Sequence, residues 1–498
     1  MKNVDITTTD VIIIGNGPSA ISLSYLLSGN WPYYNGNPVP NEYLQYKLDE
    51  SNLENVSIIE QDLEYLAEGL EGRSTNPIAL LFDTLYHPNA DLGMEDPSAV
   101  TWKHDSSHII NHMVLGKGPP GGVWQTLEGG IQTVSLGNWM ELPDMPFKEW
   151  STQYRKSRDL VDGKNIIWNN EFASTDEVGQ YYMDYIKNKG ISNRFYSFHT
   201  VTSVCKVQDS KRLVIDGENG EITGDINVDK NFIWEVCGQK IVIHNCDKDP
   251  EIEDFCYRAM NVVLATGSSD TPNRLEIVGE NLPFVMHSMK ELEHQIIDGS
   301  NTRSSSESVV VIGAGLTAAD AVLYSLEAKL NVIHVFRREA NDPMLIFNKL
   351  PMSMYPQYHR VHRLMRGIES SDRYTPYANC KVNDILPDGR IVLTSEDSCD
   401  IMLEVSHVVV TIGARPNLSF LNNEGRNLGI VPGDLIDSKN NLIDIDLISY
   451  ESVNEPGLFA IGPLVGDNFV RFLLGGSLAI TSHLWKNRRL PVGRITTL

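Results

Sequence analysis

The chain has 498 residues, 41% of them hydrophobic and 21% charged, the balance of a globular protein with room for about two or three domains. A formal charge of −24 argues against nucleic acid or an anionic membrane as partner, since both repel an acidic surface. The six cysteines (Cys205, Cys237, Cys246, Cys256, Cys380 and Cys399) form no CxxC or other close pair, the first ten residues lack a signal peptide's apolar core, and no apolar run approaches the roughly 20 residues of a membrane span. Reduced thiols, no metal centre and a cytoplasmic, soluble protein are therefore expected.

Val11–Ile14 is a β-branched run that reads as a buried strand. Gly15, Gly17 and Ala20 follow in GxGxxA spacing: Gly15 for the tight turn, Gly17 for backbone approach to a pyrophosphate, and Ala20 for close helix packing. Pro18 and Ser19 start the helix, whose free N–H groups and positive dipole end would face the phosphates. The unit is assigned to the ADP half of a dinucleotide, FAD. Residues 29–55 read as an inserted loop with one short helix, and Val56–Glu60 as the second strand. Glu60 lies further from the glycines than the usual ribose-binding acid, so it meets the ribose only if residues 29–55 loop out; otherwise it is a solvent-facing strand end. His104, His108 and His112 recur every four residues and would share a helical face if that segment is a helix. Without Cys or a carboxylate pattern nearby they suggest polar packing and no metal.

Gly121 and Gly122 precede Trp124, a pattern suited to close approach of a flat ring system with the indole as one wall. Residues 174–190 predict a helix capped by Ser174 or Thr175 and closed by Gly190. Thr200–Val207, Arg212–Asp216, Phe232–Val236 and Lys240–His244 predict an antiparallel meander. Asn261–Leu264 predicts a buried strand that leads through Ala265 into Thr266 and Gly267, where the chain would leave the first domain. After a Ser-rich linker at 298–308, Ser308–Ile312 and the turn Gly313, Gly315, Leu316, Thr317, Ala318 repeat the opening design. The following strand, Asn331–Phe336, ends in Arg337 and Arg338 where an acid usually binds ribose. A guanidinium there suits a 2′-phosphate, which favours NADPH over NADH. Met344, Met352 and Met354 either face a substrate or pack. A hairpin joins Lys381–Asp384 to Arg390–Thr394, and Val408–Gly413 marks the return to the first domain. The fold class expected is α/β, a two-dinucleotide-binding-domain flavoprotein. Residues 1–285 and 406–498 form a Rossmann-like FAD domain, and 286–405 an inserted Rossmann-like NADP domain.

Several stretches carry a narrower likeness. Gly121-Gly-Val-Trp124 resembles the GGxW segment of flavin-dependent monooxygenases, and residues 138–147 their Pro-Asp-aromatic-Pro-Phe run. Ala265-Thr-Gly267 resembles the ATG turn of two-dinucleotide flavoproteins, and Gly457–Asp467 resembles their last FAD element. Together with Leu66–Phe82, Gly118–Trp124, Trp139–Pro143 and Ala460–Phe472, most of the chain resembles the oxidative stress-induced growth inhibitor family, related to flavin-containing (class B) monooxygenases. The resemblance implies FAD and NADP as cofactors and Gly466 and Asp467 beside the flavin's ribityl chain; by its geometry the segment from Asn468 onward is expected to continue as a helix whose N-terminal dipole faces the ring. It implies NADPH:O2 monooxygenase activity on a small organic substrate through a flavin C4a-(hydro)peroxide. An NADPH oxidase-like flavoprotein and a nucleotide-binding regulatory protein with little turnover are the alternatives. A disulfide reductase would need a redox cysteine pair beside the flavin, and the spacings offer none. Two motifs depart from the monooxygenase pattern. Residues 281–288 keep only the His287-Ser288 end of FxGxxxHS, and Thr133-Val134 replaces the expected Thr-Asn, which leaves Asn138 as the nearest substitute for the catalytic Asn. Substrate identity is not legible, and a homo-oligomer stays open.

Overall fold

The computed structural model describes residues 7–50, 55–127, 132–162, 172–208, 232–242, 250–298, 308–350, 352, 355–395 and 400–488. The chain forms two compact units, Met1–Ser268 with Pro416–Leu498, and Ser269–Arg415.

In the larger unit β1 (Thr7–Ile14) lies between two parallel neighbours, His112–Leu115 and Glu251–Leu264. Val11, Ile12 and Ile13 are fully buried, as a strand covered on both faces requires. The 14-residue strand Glu251–Leu264 serves two sheet regions. Its first part pairs antiparallel with Phe232–Val242, which pairs in turn with His199–Gln208. Its last residues, Val262–Leu264, pair in parallel with β1 and with Leu458–Ala460 from the end of the chain. Helix α1 (Pro18–Leu27) packs against the C-terminal helix Val470–Lys486, which also packs against Pro77–Tyr86. At that second crossing Gly475 meets the backbone of Ala79, leaving no room for a Cβ.

The smaller unit has a five-stranded parallel sheet in the order Val285–Met286, His407–Val410, Ser308–Ile312, Asn331–Val335, Tyr374–Tyr377. The expected hairpin is present as Cys380–Ile385 and Arg390–Ser395, with Asp400–Glu404 as an unexpected third strand. Val310, Val335, Ile385, Ile391, Leu393 and Val408 give this unit a core of its own.

Several expectations require correction. Val56–Glu60 is not a strand: Ile58–Glu60 is a 3-10 turn in which Ser57 and Glu60 form a capping box, so Glu60 ends no sheet strand. Adjacent Ile58 and Ile59 are both fully buried, which a tight turn permits and an alternating strand does not. The second strand is Asn30–Tyr34, inside the segment read as a loop, and it pairs antiparallel with Val100–His104. The three histidines share no helical face. His104 ends a strand, His108 stacks on Trp31 with ring centroids 3.7 Å apart, and His112 begins a strand with its ring buried against Ser24. Phe232–Val236 and Lys240–Val242 belong to one continuous strand, because Gly238 is no turn: a Cβ there would strike Thr200 and the Phe255 ring. Cys237 and Cys256, 19 positions apart, face each other in the sheet and are joined in a disulfide, so these two thiols are not free. Residues 212–216, 243–244, Met354 and the linker at 299–307 lie outside the described residues.

The predicted helix at 174–190 is Thr175–Asn188, with Ser174 and Glu177 forming its capping box. No helix among the described residues is long and apolar enough to cross a membrane.

Candidate functional site

The first glycine turn is built by its neighbours. Gly15 N–H donates to Leu115 O at 2.8 Å, and Ala265 N–H donates to Ile14 O at 2.8 Å, which ties the turn to both flanking strands. Gly15 has φ +107°, and a Cβ there would collide with the Ala265 carbonyl. Helix α1 then starts at Pro18, with Gly17 as its N-cap and no side chain capping it. Its first N–H groups are therefore left without a side-chain acceptor from the protein, the condition under which a helix end takes an anion. Ala20 is fully buried and Ser19 nearly so, with Ser19 contacting the C-terminal segment at Gly462.

Other predicted residues gather at this turn. Gly121 N–H donates to Asn16 O at 2.8 Å, and the Asn16 amide donates to Gly118 O at 2.8 Å. Gly122 packs so closely on Gly17 that its Cβ would lie 2.9 Å from the Gly17 Cα. Trp124 is half-buried, with its ring edge-on to Tyr182 at 6.5 Å, and Gln125 holds the same loop through Pro120 O and Gly179 O. Thr266 adjoins Gly15, and its hydroxyl is buried without a hydrogen-bond partner among the described residues. An orphaned hydroxyl, an uncapped helix end and three glycine loops around one turn fit a polar, anionic ligand such as the pyrophosphate end of FAD.

Asp467 closes the C-terminal side of this region. Its carboxylate is 1% exposed and accepts from Ser74 Oγ at 2.9 Å and Tyr450 Oη at 3.0 Å. Burial pushes its pKa up to about 7, against the opposing pull of the hydroxyl and amide donors around it. Gly466, at φ +92°, makes the turn before it. Glu60 lies on the surface in a recess of about 300 Å³ with Trp485, Lys486 and Arg488. Asn138 sits in the 3-10 turn Gly137–Met140, where its amide donates to Glu95 Oε1 at 3.1 Å.

The second turn repeats the design in the smaller unit. Gly313 has φ +138°, and a Cβ there would strike Thr411 O. Helix Leu316–Glu327 starts after an uncapped Gly315, Thr317 is exposed in its first turn, and Ala318 is fully buried. Space around Gly315 is open, since a Cβ there would meet nothing within 4 Å. The pairing of Ile312 with Val335 brings Arg337 alongside this turn, where it is exposed and makes no ion pair among the described residues. Arg338 pairs with Asp342 at 3.0 Å. Gly413, at φ +88°, accepts from Asn273 N–H through its carbonyl at 2.9 Å.

Two groups of residues escaped sequence reading. His334 is fully buried, with Nε2 2.7 Å from Gly313 O and Nδ1 2.8 Å from Tyr374 Oη. A carbonyl only accepts, so Nε2 carries the proton and the Tyr374 hydroxyl donates to Nδ1. Burial pushes the His334 pKa down to about 4, keeping the ring neutral beside the glycine turn. Alternation along its strand could have marked His334 as inward-facing. The second group is Tyr181, Tyr182 and Tyr185 of helix Thr175–Asn188, whose buried hydroxyls donate to Met145 O, Met140 O and Pro143 O. They fix the Pro-Asp stretch from below, a role that helical spacing hints at only as core packing.

Comparison with known proteins agrees with this geometry. The pyridine nucleotide-disulphide oxidoreductase family profile matches residues 251–462. Bacillithiol disulfide reductase from Bacillus cereus superposes with a TM-score of 0.56 at 16% identity, covering 97% of this chain and 100% of that one. A mutant form of a flavin monooxygenase from Stenotrophomonas maltophilia gives a TM-score of 0.51 at 14% identity, covering 97% and 99%. Fold and cradles together define a two-dinucleotide-binding-domain flavoprotein, a class that uses FAD and NADP(H). The human oxidative stress-induced growth inhibitor 2 is 44% identical over 494 residues, 96% of this chain and 93% of the human protein. Human oxidative stress-induced growth inhibitor 1 is 42% identical, covering 97% and 96%. The chain belongs to the oxidative stress-induced growth inhibitor family, and it is a flavin oxidoreductase by fold.

Proposed function

We propose that this protein is an NADPH-dependent flavin monooxygenase that uses O2 to oxygenate a small organic substrate. The observation that carries the reading is the pair of glycine cradles with uncapped helix ends, the second of them flanked by Arg337. Bound FAD supplies the redox chemistry. The chain's own contribution is binding and orientation. Gly15, Gly17 and the first turn of α1 take the FAD pyrophosphate, and Thr266 offers its unpaired hydroxyl to the same ligand. Gly121, Gly122 and Trp124 wall the site, Gly267 and Gly466 shape its margins, and Asp467 anchors the turn beside it through Ser74 and Tyr450. Gly313, Gly315, Leu316, Thr317 and Ala318 take the NADPH pyrophosphate, with His334 fixing the Gly313 carbonyl. Arg337 pairs with the 2′-phosphate, and Arg338 and Gly413 border the site.

One feature favours a second reading, NADPH oxidation that reduces O2 without a substrate. The Asn138 amide is engaged by Glu95, and Thr133, at the place of the usual Thr-Asn, turns its hydroxyl to the backbone at Ser135 O. The experiment is to purify the protein, record its visible spectrum, and follow NADPH consumption, O2 uptake and peroxide release in air with and without candidate substrates. A monooxygenase shows substrate-dependent oxygen transfer with peroxide suppressed; an oxidase releases peroxide with every substrate. Arg337→Ala raises KM for NADPH about 10- to 100-fold while leaving that for NADH unchanged, the scale of a lost charged hydrogen bond. An equal effect on both nucleotides removes Arg337 from the 2′-phosphate site.

A further inference from the structure

The meander carries three cysteines on one face. In register, Ser203, Cys237 and Cys256 stand opposite one another across three strands, and Cys205, Glu235 and Arg258 form the next row. Val204 and Val236, which alternate with them, are buried on the other face, so Cys205, Cys237 and Cys256 share the outer one, each half-buried. Cys237, on the middle strand, is bonded to Cys256 with their Cα atoms 4.2 Å apart, and Cys205 is a free thiol one row away on its other side. The Glu235 carboxylate lies within 4.8 Å of both sulfurs, but Arg258 already holds it through Nε at 2.8 Å and Nη2 at 2.5 Å. With both sulfurs tied up in the disulfide, no thiolate is left there to hold a divalent cation, and the group is read by its thiol chemistry.

This group is remote from the nucleotide turn. Thr7 of β1 pairs with Tyr257 and Ile14 with Leu264, so Cys256 lies just beyond the start of β1 while Gly15 follows its end. Eight residues of strand lie between the two, nine rises or about 30 Å at roughly 3.3 Å per residue. The disulfide is therefore not a redox pair beside the FAD cradle.

We propose that Cys237 is the centre of a thiol–disulfide exchange site open to small thiols, switching partner between Cys256 and Cys205. A thiolate RS⁻ attacks Cys237 Sγ. The Cys237–Cys256 bond breaks, an RS–Cys237 bond forms, and Cys256 leaves as a thiolate that takes a proton. Cys205, deprotonated, then attacks Cys237 Sγ, forming Cys205–Cys237 and releasing RS⁻, which takes up the proton. Attack by a second RS⁻ on the sulfur of the bound RS group instead gives RSSR and leaves the cysteines reduced, so that two RSH supply the two electrons. RSSR drives the reverse reaction.

The test uses the full chain in glutathione buffers from reducing to oxidising, quenched with acid, alkylated and read by peptide mass spectrometry. Wild type is expected to convert reversibly between the Cys237–Cys256 disulfide and the dithiol, with a detectable Cys205–Cys237 species. Cys256→Ser forms Cys205–Cys237. The double variant Cys205→Ser/Cys256→Ser retains glutathione on Cys237, several-fold above wild type, while Cys380→Ser behaves as wild type. A disulfide unchanged across the whole buffer series in folded wild type, or Cys205 left reduced beside glutathionylated Cys237 in Cys256→Ser, overturns the proposal. Circular dichroism of each variant confirms its fold, and the wild-type series needs no substitution.

Discussion

Asp467 shows how a buried polar residue couples the cradle to pH. Desolvation holds its pKa near 7 in the fold, against an ordinary 3.8. Below about pH 4 both folded and unfolded forms are protonated, and the site contributes no pH dependence. Between about pH 4 and 7 the unfolded chain ionises while the fold keeps its proton, so stability falls as pH rises and levels off above 7. Asp467→Asn removes that slope. In thermal or urea unfolding at about pH 5 and about pH 8 the wild type loses more stability between the two than the variant, by at most about 3 kcal/mol. An equal change in both proteins would show that Asp467 ionises freely in the fold. His334 is the parallel case in the smaller unit, a ring kept neutral so that one nitrogen can donate to Gly313 O and the other accept from Tyr374.

At the scale of elements, small residues mark where backbones touch. Gly475 sits in the middle of a helix, where glycine lowers stability by about 1 kcal/mol relative to alanine on propensity alone. Its place is explained by Ala79 of helix Pro77–Tyr86, whose backbone occupies the space of a Cβ. Gly475→Ala is therefore expected to destabilise the protein by about 1–3 kcal/mol, despite the better propensity, because overpacking outweighs it. Denaturant unfolding measures this, and a stabilised variant would mean the two helices part easily. Gly238 follows the same logic in the meander, where close packing against Thr200 and Phe255 lets one strand run through the gap between the two strands expected from sequence.

For the whole molecule, the smaller unit has its own parallel sheet and its own buried cluster around Val310, Val335, Ile391 and Val408. At this size a domain can bury enough apolar surface to fold alone. Residues 269–415 expressed separately are expected to unfold in one cooperative thermal transition, and a chain without a transition would show that the larger unit is needed.

The sequence by itself determined the two strand–glycine–helix cradles, the hairpin, the helix at 174–190 and the family. Those features depend on local chemistry, such as Gly15 and Gly313 at positive φ, Ser174 as a cap and Ala20 and Ala318 beneath a helix. Tertiary structure alone decided that Val56–Glu60 is a turn and Asn30–Tyr34 the second strand. A short apolar run takes its form from the surface it meets, here Pro32 O accepting from Ser57. It also decided that Cys237 and Cys256 are partners, since strand register brings together residues whose spacing in sequence carries no signal. The three buried tyrosines beneath Pro143 and the His334–Gly313 contact belong to the same kind: each joins segments far apart in the chain, and the hydrogen bonds that give them their roles exist only once both segments are in place.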